Sequence, residues 1–339
     1  MRRSFHRILW VNGGEGIESL ASNARCVFGS QSETLTLDIP TSDTSRWRAV
    51  VRVLRSPMDA LGCALFPASC CACGNPLLRL TLSPVCDSCW NKLPAQSGTV
   101  CRVCGEDLGI ATFSTGNPRQ AEDCVCQVCR LAPPPFRRAV AHGIYQGTLR
   151  DLIHSLKYER VTPIANGLGY RLASAIARLA GEAPSEMLVI PVPQHRSKQR
   201  SRGYNQAELL ARAALKILRH THPEWKLQLS SETLVRSRET ASQFGLTIRQ
   251  RRDNLRGVFS VPDGERVAGL DILLIDDIYT SGATARACGK ALIKAGAASV
   301  WVATLARAQR EGVAFWDPNF GKTAGAFNRV GNQSSSPGS

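Results

Sequence analysis

Ile272-Leu273-Leu274-Ile275-Asp276-Asp277-Ile278-Tyr279-Thr280-Ser281-Gly282-Ala283-Thr284 is the stretch on which the reading of the fold turns. Its first four residues are a continuous apolar run, as expected of a strand buried on both faces of a parallel sheet. The strand delivers two adjacent carboxylates, Asp276 and Asp277, to its carboxyl end. A short hydroxyl-rich loop with one glycine then opens a helix over 283–295, closed by Gly296. In parallel α/β sheets ligands bind at that edge. Free backbone N–H groups at the helix start, its positive dipole end and the hydroxyls of Thr280, Ser281 and Thr284 make a cradle for a phosphate monoester, so Thr280, Ser281, Gly282, Ala283 and Thr284 are the candidate phosphate-binding residues. The acid pair beside it suits a polyol: its carboxylates accept hydrogen bonds from two sugar hydroxyls or hold a hydrated Mg²⁺. Two solvated aspartates before a capped helix would account for the acids but not for the whole thirteen-residue arrangement.

Outward from this stretch the pattern alternates between strand and helix, the signature of an α/β protein. Residues 149–158 and 163–179 carry apolar positions at helical spacing, and 207–218 reads as a third helix. Met187 to Ile190 is a short apolar run ended by Pro191-Val192-Pro193, a buried strand feeding a loop that carries Arg196, Arg200 and Arg202. Val300 to Leu305 is a further strand, which with the central one and its helix makes a βαβ unit. Residues 136–310 thus form the large domain. Residues 1–57, rich in Ser, Thr, Gly and Arg without periodicity, read as a disordered extension, with Met58 a more natural place for an ordered chain to begin. The tail, 311–339, reads as disordered too.

Twelve of the thirteen cysteines precede residue 130. Four Cys-x-x-Cys pairs stand at Cys70/Cys73, Cys86/Cys89, Cys101/Cys104 and Cys126/Cys129, separated by 12, 11 and 21 residues. Turns of this spacing present two sulfurs to one ion, and two turns complete a tetrahedral site, so eight ligands imply two structural zinc ions in a small N-terminal module over 62–132. Redox dithiols and an iron–sulfur cluster are the competing readings. Gly74 and Gly105 follow the second cysteine of their pairs, where a tight turn favours a residue without Cβ. Cys71 and Cys124 compete with Cys70 and Cys126 as ligands. Which pairs share an ion is open, with sequential ribbons the simplest arrangement. Cys26, Cys63 and Cys288 read as ordinary small residues.

The net charge of +15 is concentrated: residues 136–310 hold 27 basic against 14 acidic side chains. That segment should attract anions, whether phosphorylated metabolites or nucleic acid. No apolar run approaches the ~18 residues of a membrane span and no secretion signal is evident, which suits a soluble cytoplasmic protein. The six histidines show no metal-like spacing, and no Ser-His-Asp arrangement is evident.

The stretch from Ile272 to Thr284 resembles the 5-phosphoribosyl 1-pyrophosphate (PRPP) signature of type I phosphoribosyltransferases. Pro191-Val192-Pro193 followed by Arg202-Gly203-Tyr204-Asn205-Gln206 resembles a segment of the ComF (competence protein F, GntX-like) family, with Tyr204 where that family commonly has Phe. Arg238, Thr240, Gln243, Leu246, Arg251, Asn254 and Phe259 match a further motif of the family, and Tyr145 to Tyr158 its entry into the transferase domain. Cysteine pairs ahead of such a domain are also its layout. The resemblance covers about residues 62–308. It implies a type I phosphoribosyltransferase fold, a parallel sheet flanked by helices, behind a double zinc ribbon. It implies PRPP with Mg²⁺, in which Asp276 and Asp277 face the ribose hydroxyls and Thr280 to Thr284 hold the 5-phosphate. Arg200, Arg202 and Lys157 are further phosphate contacts, with residues 236–256 a hood over the site. Family membership further implies a link to natural competence and DNA uptake, through transferase chemistry on an acceptor the sequence does not identify, or through single-stranded DNA held in the same basic cleft.

Overall fold

The computed structural model describes residues 68–108 apart from 80 and 97, 124–238, 250, 254–255 and 257–309, all within one compact unit. The N-terminal extension, Met58, Cys26, Cys63, the tail and most of the hood lie outside the described residues.

The centre is a five-stranded parallel sheet in the order β1-β7-β6-β2-β3, built from β1 (Ala139–Ile144), β2 (Glu186–Pro191), β3 (Lys226–Leu229), β6 (Asp271–Tyr279) and β7 (Ser299–Arg307). A short antiparallel pair, β4 (Val235–Arg236) and β5 (Phe259–Ser260), pins the two described ends of the hood segment together. The apolar run of β6 sits between two strands as expected, with Leu274 opposite both Ile190 and Val302. Period-two alternation sends Leu273 and Ile275 into one core and Ile272 and Leu274 into the other.

The first core is covered by α3 (Gly147–Tyr158), α4 (Ala165–Ala177) and α6 (Gln206–Thr221), whose buried leucines, isoleucines and alanines recur at helical spacing. α4 and α6 cross closely at Gly169, where an added Cβ would lie 2.3 Å from that of Ala213. The second core is covered by α7 (Ala283–Lys294), which turns in Ala285, Cys288 and Leu292. Because α6 leaves β2 toward the edge on one face and α7 leaves β6 toward β7 on the other, the carboxyl ends of β2 and β6 form a topological switch point.

Both cysteine groups are built into these cores, on opposite faces of the sheet. Cys70, Leu77, Val85, Cys89 and Leu93 belong to the first core, and Cys101, Cys104, Cys126, Cys129 and Phe136 to the second. Trp90, in the short helix α1 (Asp87–Asn91), lies against Gly167 of α4, where a Cβ would come within 2.4 Å of its ring. The counterpart of α1 is α2 (Gln127–Leu131).

Three departures from the sequence reading matter for the site. β6 does not end before the aspartates but continues as a paired strand through them to Tyr279, because β7 also runs on, to Arg307. β1 escaped recognition because His142 and Gly143 interrupt its apolar run; Gly143 is there because the Pro94 carbonyl oxygen would lie 1.7 Å from an added Cβ. The segment after Pro193 is not a loop throughout: residues Arg196–Arg202 form α5, capped at its start by the His195 ring accepting from Ser197 N–H and at its end by left-handed Gly203 (φ 89°).

Candidate functional site

The β6–α7 turn is shaped from beneath. Gly282 adopts φ 76°, and an added Cβ would lie 2.2 Å from the Tyr279 hydroxyl. A side chain is therefore excluded twice, by backbone conformation and by the tyrosine ring. The buried Ser281 hydroxyl accepts from Ala283 N–H at 3.4 Å, and α7 has no acidic residue in its first turn to neutralise its positive end. The expected phosphate residues Thr280 to Thr284 are thus brought into one turn beside the acids.

The two acids are placed differently. Asp277, 4% exposed, receives the Lys157 ammonium of α3 at 2.8 Å and the Gln206 side-chain amide of α6 at 2.7 Å. Burial alone would pull the Lys157 pKa down, but the Asp277 carboxylate outweighs it and leaves it raised, so the ammonium keeps its proton. Asp276 accepts from Asp277 N–H at 2.9 Å; burial first, then the adjacent Asp277 charge, push its carboxyl up to about 7. Lys157, expected at a phosphate, is held by the carboxylate instead.

The segment after the β2 strand explains itself residue by residue. Gly203 ends α5. The Tyr204 hydroxyl donates to the Leu156 carbonyl of α3. Asn205 caps α6 by accepting from Ala207 N–H at 3.0 Å, and its amide donates to the Val192 carbonyl at 3.1 Å. Gln206 reaches Asp277 and also accepts from Arg202, which stacks over the Tyr158 ring at 5.4 Å. Arg202, Gln206, Asp277 and Lys157 therefore form one chain of contacts. Arg200 lies exposed on α5, outside it. Gln206 was legible as part of a motif, but its role was not: only the fold brings a helix N-terminus to a strand 71 residues away. His142 is buried and drawn down to about 4, first by burial and then by Arg171 and Arg178, so it is neutral and no candidate acid.

The cysteines form two quartets, Cys70/Cys73/Cys86/Cys89 and Cys101/Cys104/Cys126/Cys129, with all sulfurs of a quartet within 4.8 Å of one another. The arrangement is the sequential one. In each, the first knuckle ends in a left-handed glycine, Gly74 at φ 72° and Gly105 at φ 67°, and the second begins at the N-cap of a short helix. The Cys86 and Cys126 N–H groups point at the sulfurs of Cys70 and Cys101, at 3.4 and 3.2 Å. A zinc ion bonded to sulfur at roughly 2.3 Å sets tetrahedral S–S edges of about 3.8 Å. The Cys73–Cys86 and Cys104–Cys126 separations are 3.7 Å, so the donor sets fit zinc. Cys71 and Cys124 stand outside both quartets. Burial, with the neighbouring Cys70 charge, pushes the Cys71 thiol up to about 11, which keeps it protonated. No described helix is long and apolar enough to cross a membrane.

No family model matches the chain. It is similar to the DNA utilization protein YhgH of Escherichia coli O157:H7, with 32% identity over 237 residues that cover 67% of this chain and 99% of that protein. It is also similar to competence protein F of Haemophilus influenzae, at 28% over 72% of this chain and 98% of that protein, and to competence protein ComFC of Bacillus subtilis, at 24% over 66% and 84%. Parallel sheet, switch-point turn and fused cysteine quartets define a phosphoribosyltransferase-like α/β protein with a double four-cysteine module. Within that class, the chain belongs to the ComF family.

The site yields two expectations. Metal analysis of the full chain should find one zinc fewer in Cys70→Ser than in wild type and no change in Cys71→Ser; the reverse result would reassign the ligand. For Asp276, the native state binds the proton more tightly than the unfolded chain, whose carboxyl titrates at roughly 3.9. Its contribution to stability is complete at low pH and is lost as pH rises from about 4 to about 7. Asp276→Asn should therefore melt on the order of 10 °C higher than wild type at pH 8 and level with it at pH 4. A single offset at both pH values would contradict the burial argument.

Proposed function

We propose that the chain binds PRPP at the β6–α7 turn and serves the handling of DNA during uptake. The observation that carries the PRPP reading is the turn itself: an anion cradle held open by Gly282, set directly beside a carboxylate pair of which one member is locked by Lys157 and Gln206. The 5-phosphate is held by the N–H groups and hydroxyls of Thr280 to Thr284. Asp276 accepts from the ribose hydroxyls, while Asp277, held by Lys157 and Gln206, fixes the floor of the site. Arg202 and Arg200 sit on the side reached by the pyrophosphate, where guanidinium groups grip oxygens in pairs. Two carboxylates, one already paired, are too few for an octahedral protein cage. Mg²⁺ would thus ride mainly on pyrophosphate oxygens and water, neutralising the leaving group. In a transfer to a nitrogen acceptor, the bond from C1 to pyrophosphate breaks, a bond from C1 to the nitrogen forms, the nitrogen's proton passes to solvent, and the positive charge that grows on the ribose meanwhile is stabilised by Asp276 and Asp277. Zinc in both quartets is structural, since closed four-sulfur sites leave no open position. Reduced thiolates of this kind suit the cytoplasm.

The DNA reading rests on what the relatives are named for, DNA utilization and competence, and on α5, which exposes Arg196, Lys198 and Arg200 together beside the site. Single-stranded DNA is its ligand.

Calorimetry with PRPP and Mg²⁺ should give one saturable heat, with affinity falling roughly tenfold or more in Asp276→Asn and Gly282→Val, the size of one lost charge-assisted hydrogen bond. No heat in wild type contradicts the reading, and unchanged affinity in both variants moves the ligand elsewhere. For the DNA role, oligonucleotide affinity should fall with added salt and weaken in Arg200→Ala; salt-insensitive binding would dismiss it.

A further inference from the structure

Arg307, at the carboxyl end of β7, is fully buried, and it makes no contact with the acid pair among those the structure describes. Its guanidinium donates to the Tyr279 carbonyl at 3.1 Å and to the Thr280 carbonyl, the two residues that open the phosphate turn. It lies over the Tyr279 ring, 4.3 Å from the centroid, the same ring on which Gly282 rests. On its other side it pairs with the Glu106 carboxylate, itself 2% exposed, and points an N–H at the Cys104 sulfur at 3.8 Å. Glu106 follows Cys104 and Gly105 in the knuckle of the second quartet, and its carbonyl accepts from Cys101 N–H at 2.7 Å. A buried cation needs a fixed anion, and this one is fixed only when the knuckle is folded around its metal.

We infer that Glu106 and Arg307 are positioning residues that tie the shape of the phosphate turn to zinc in the Cys101/Cys104/Cys126/Cys129 quartet. The second quartet is then more than a fold-holding clamp: its occupancy sets how well the turn receives an anion, and an anion in the turn in return tightens the zinc. Among the described residues the first quartet has no such connection, since its buried cysteines join the opposite core. The inference rests on the turn being the anion site, but its test does not need the ligand.

The two metals separate naturally. Cys73 of the first quartet is exposed, whereas all four cysteines of the second are buried, so a chelator titrated into the zinc-loaded full chain strips the first site before the second. Cysteine alkylation read by mass spectrometry identifies which quartet has opened. Hydrogen exchange at Thr280 to Ala283 should hold steady through the first loss and accelerate roughly tenfold at the second, within the usual range of coupling between sites. Exchange at Ile272 to Ile275, deep in β6, should stay protected throughout. Glu106→Gln, with both zinc ions bound, should show the fast turn. Removing both charges together in Glu106→Gln/Arg307→Met leaves no orphan ion, and in that variant the turn should be fast and indifferent to the second zinc. A turn unmoved by the second loss, an acceleration shared by Ile272 to Ile275, or a double variant that still responds as wild type does would overturn the inference. Separate calorimetry with PRPP and Mg²⁺ distinguishes the two failures. Coupling without heat removes the ligand, and heat of equal affinity in wild type and Glu106→Gln removes the coupling.

Discussion

A buried ammonium resting on a buried carboxylate organises this molecule. Lys157 and Asp277 come from a helix and a strand far apart in sequence, and neither charge is tolerable inside without the other. Their pairing sets α3 against the carboxyl end of β6. Gln206 then brings the start of α6 to the same oxygen-rich point, and Arg202 brings the end of α5. Four elements thus converge on one side of the switch point, leaving the β6–α7 turn open on the other. The sugar-phosphate reading depends on this convergence, because an anion cradle without a fixed polyol partner would select nothing.

The cysteine quartets extend the same logic to the periphery. Their cysteines, with Leu77, Val85, Leu93 and Phe136, complete the edges of the two cores, so each metal site is packed against the face of the sheet it helps to cover. Each quartet repeats one design, a glycine-ended knuckle followed by a pair at a helix start. The repeat is placed on opposite faces of the sheet, and among the described residues it is the second copy, through Glu106 and Arg307, that contacts the turn.

Much of this was legible in the sequence, for particular reasons. The run from Ile272 to Ile275 announces a strand buried on both sides because no polar residue interrupts it, and the cysteine spacing announces metal because thiolate turns have one geometry. β1 was hidden because Gly143 answers to the Pro94 carbonyl, far earlier in the chain, and not to strand propensity, while the buried His142 beside it breaks the apolar run. α5 was hidden because seven mostly polar residues carry no apolar periodicity; its caps, His195 and Gly203, define it instead. Lys157 was recognised as a site residue but assigned to a phosphate, since sequence order does not show that Asp277 lies within reach. The Glu106–Arg307 pair joins residues 201 positions apart, and no local pattern signals it.

A crystal structure of the full chain grown with PRPP and Mg²⁺ tests the account most directly. The ribose 5-phosphate should lie against the N–H groups of Ser281 to Ala283, with the ribose hydroxyls next to Asp276 and the Lys157–Asp277 pair intact beneath. Density for the ligand away from the β6–α7 turn, or an empty turn in crystals saturated with it, would contradict the account.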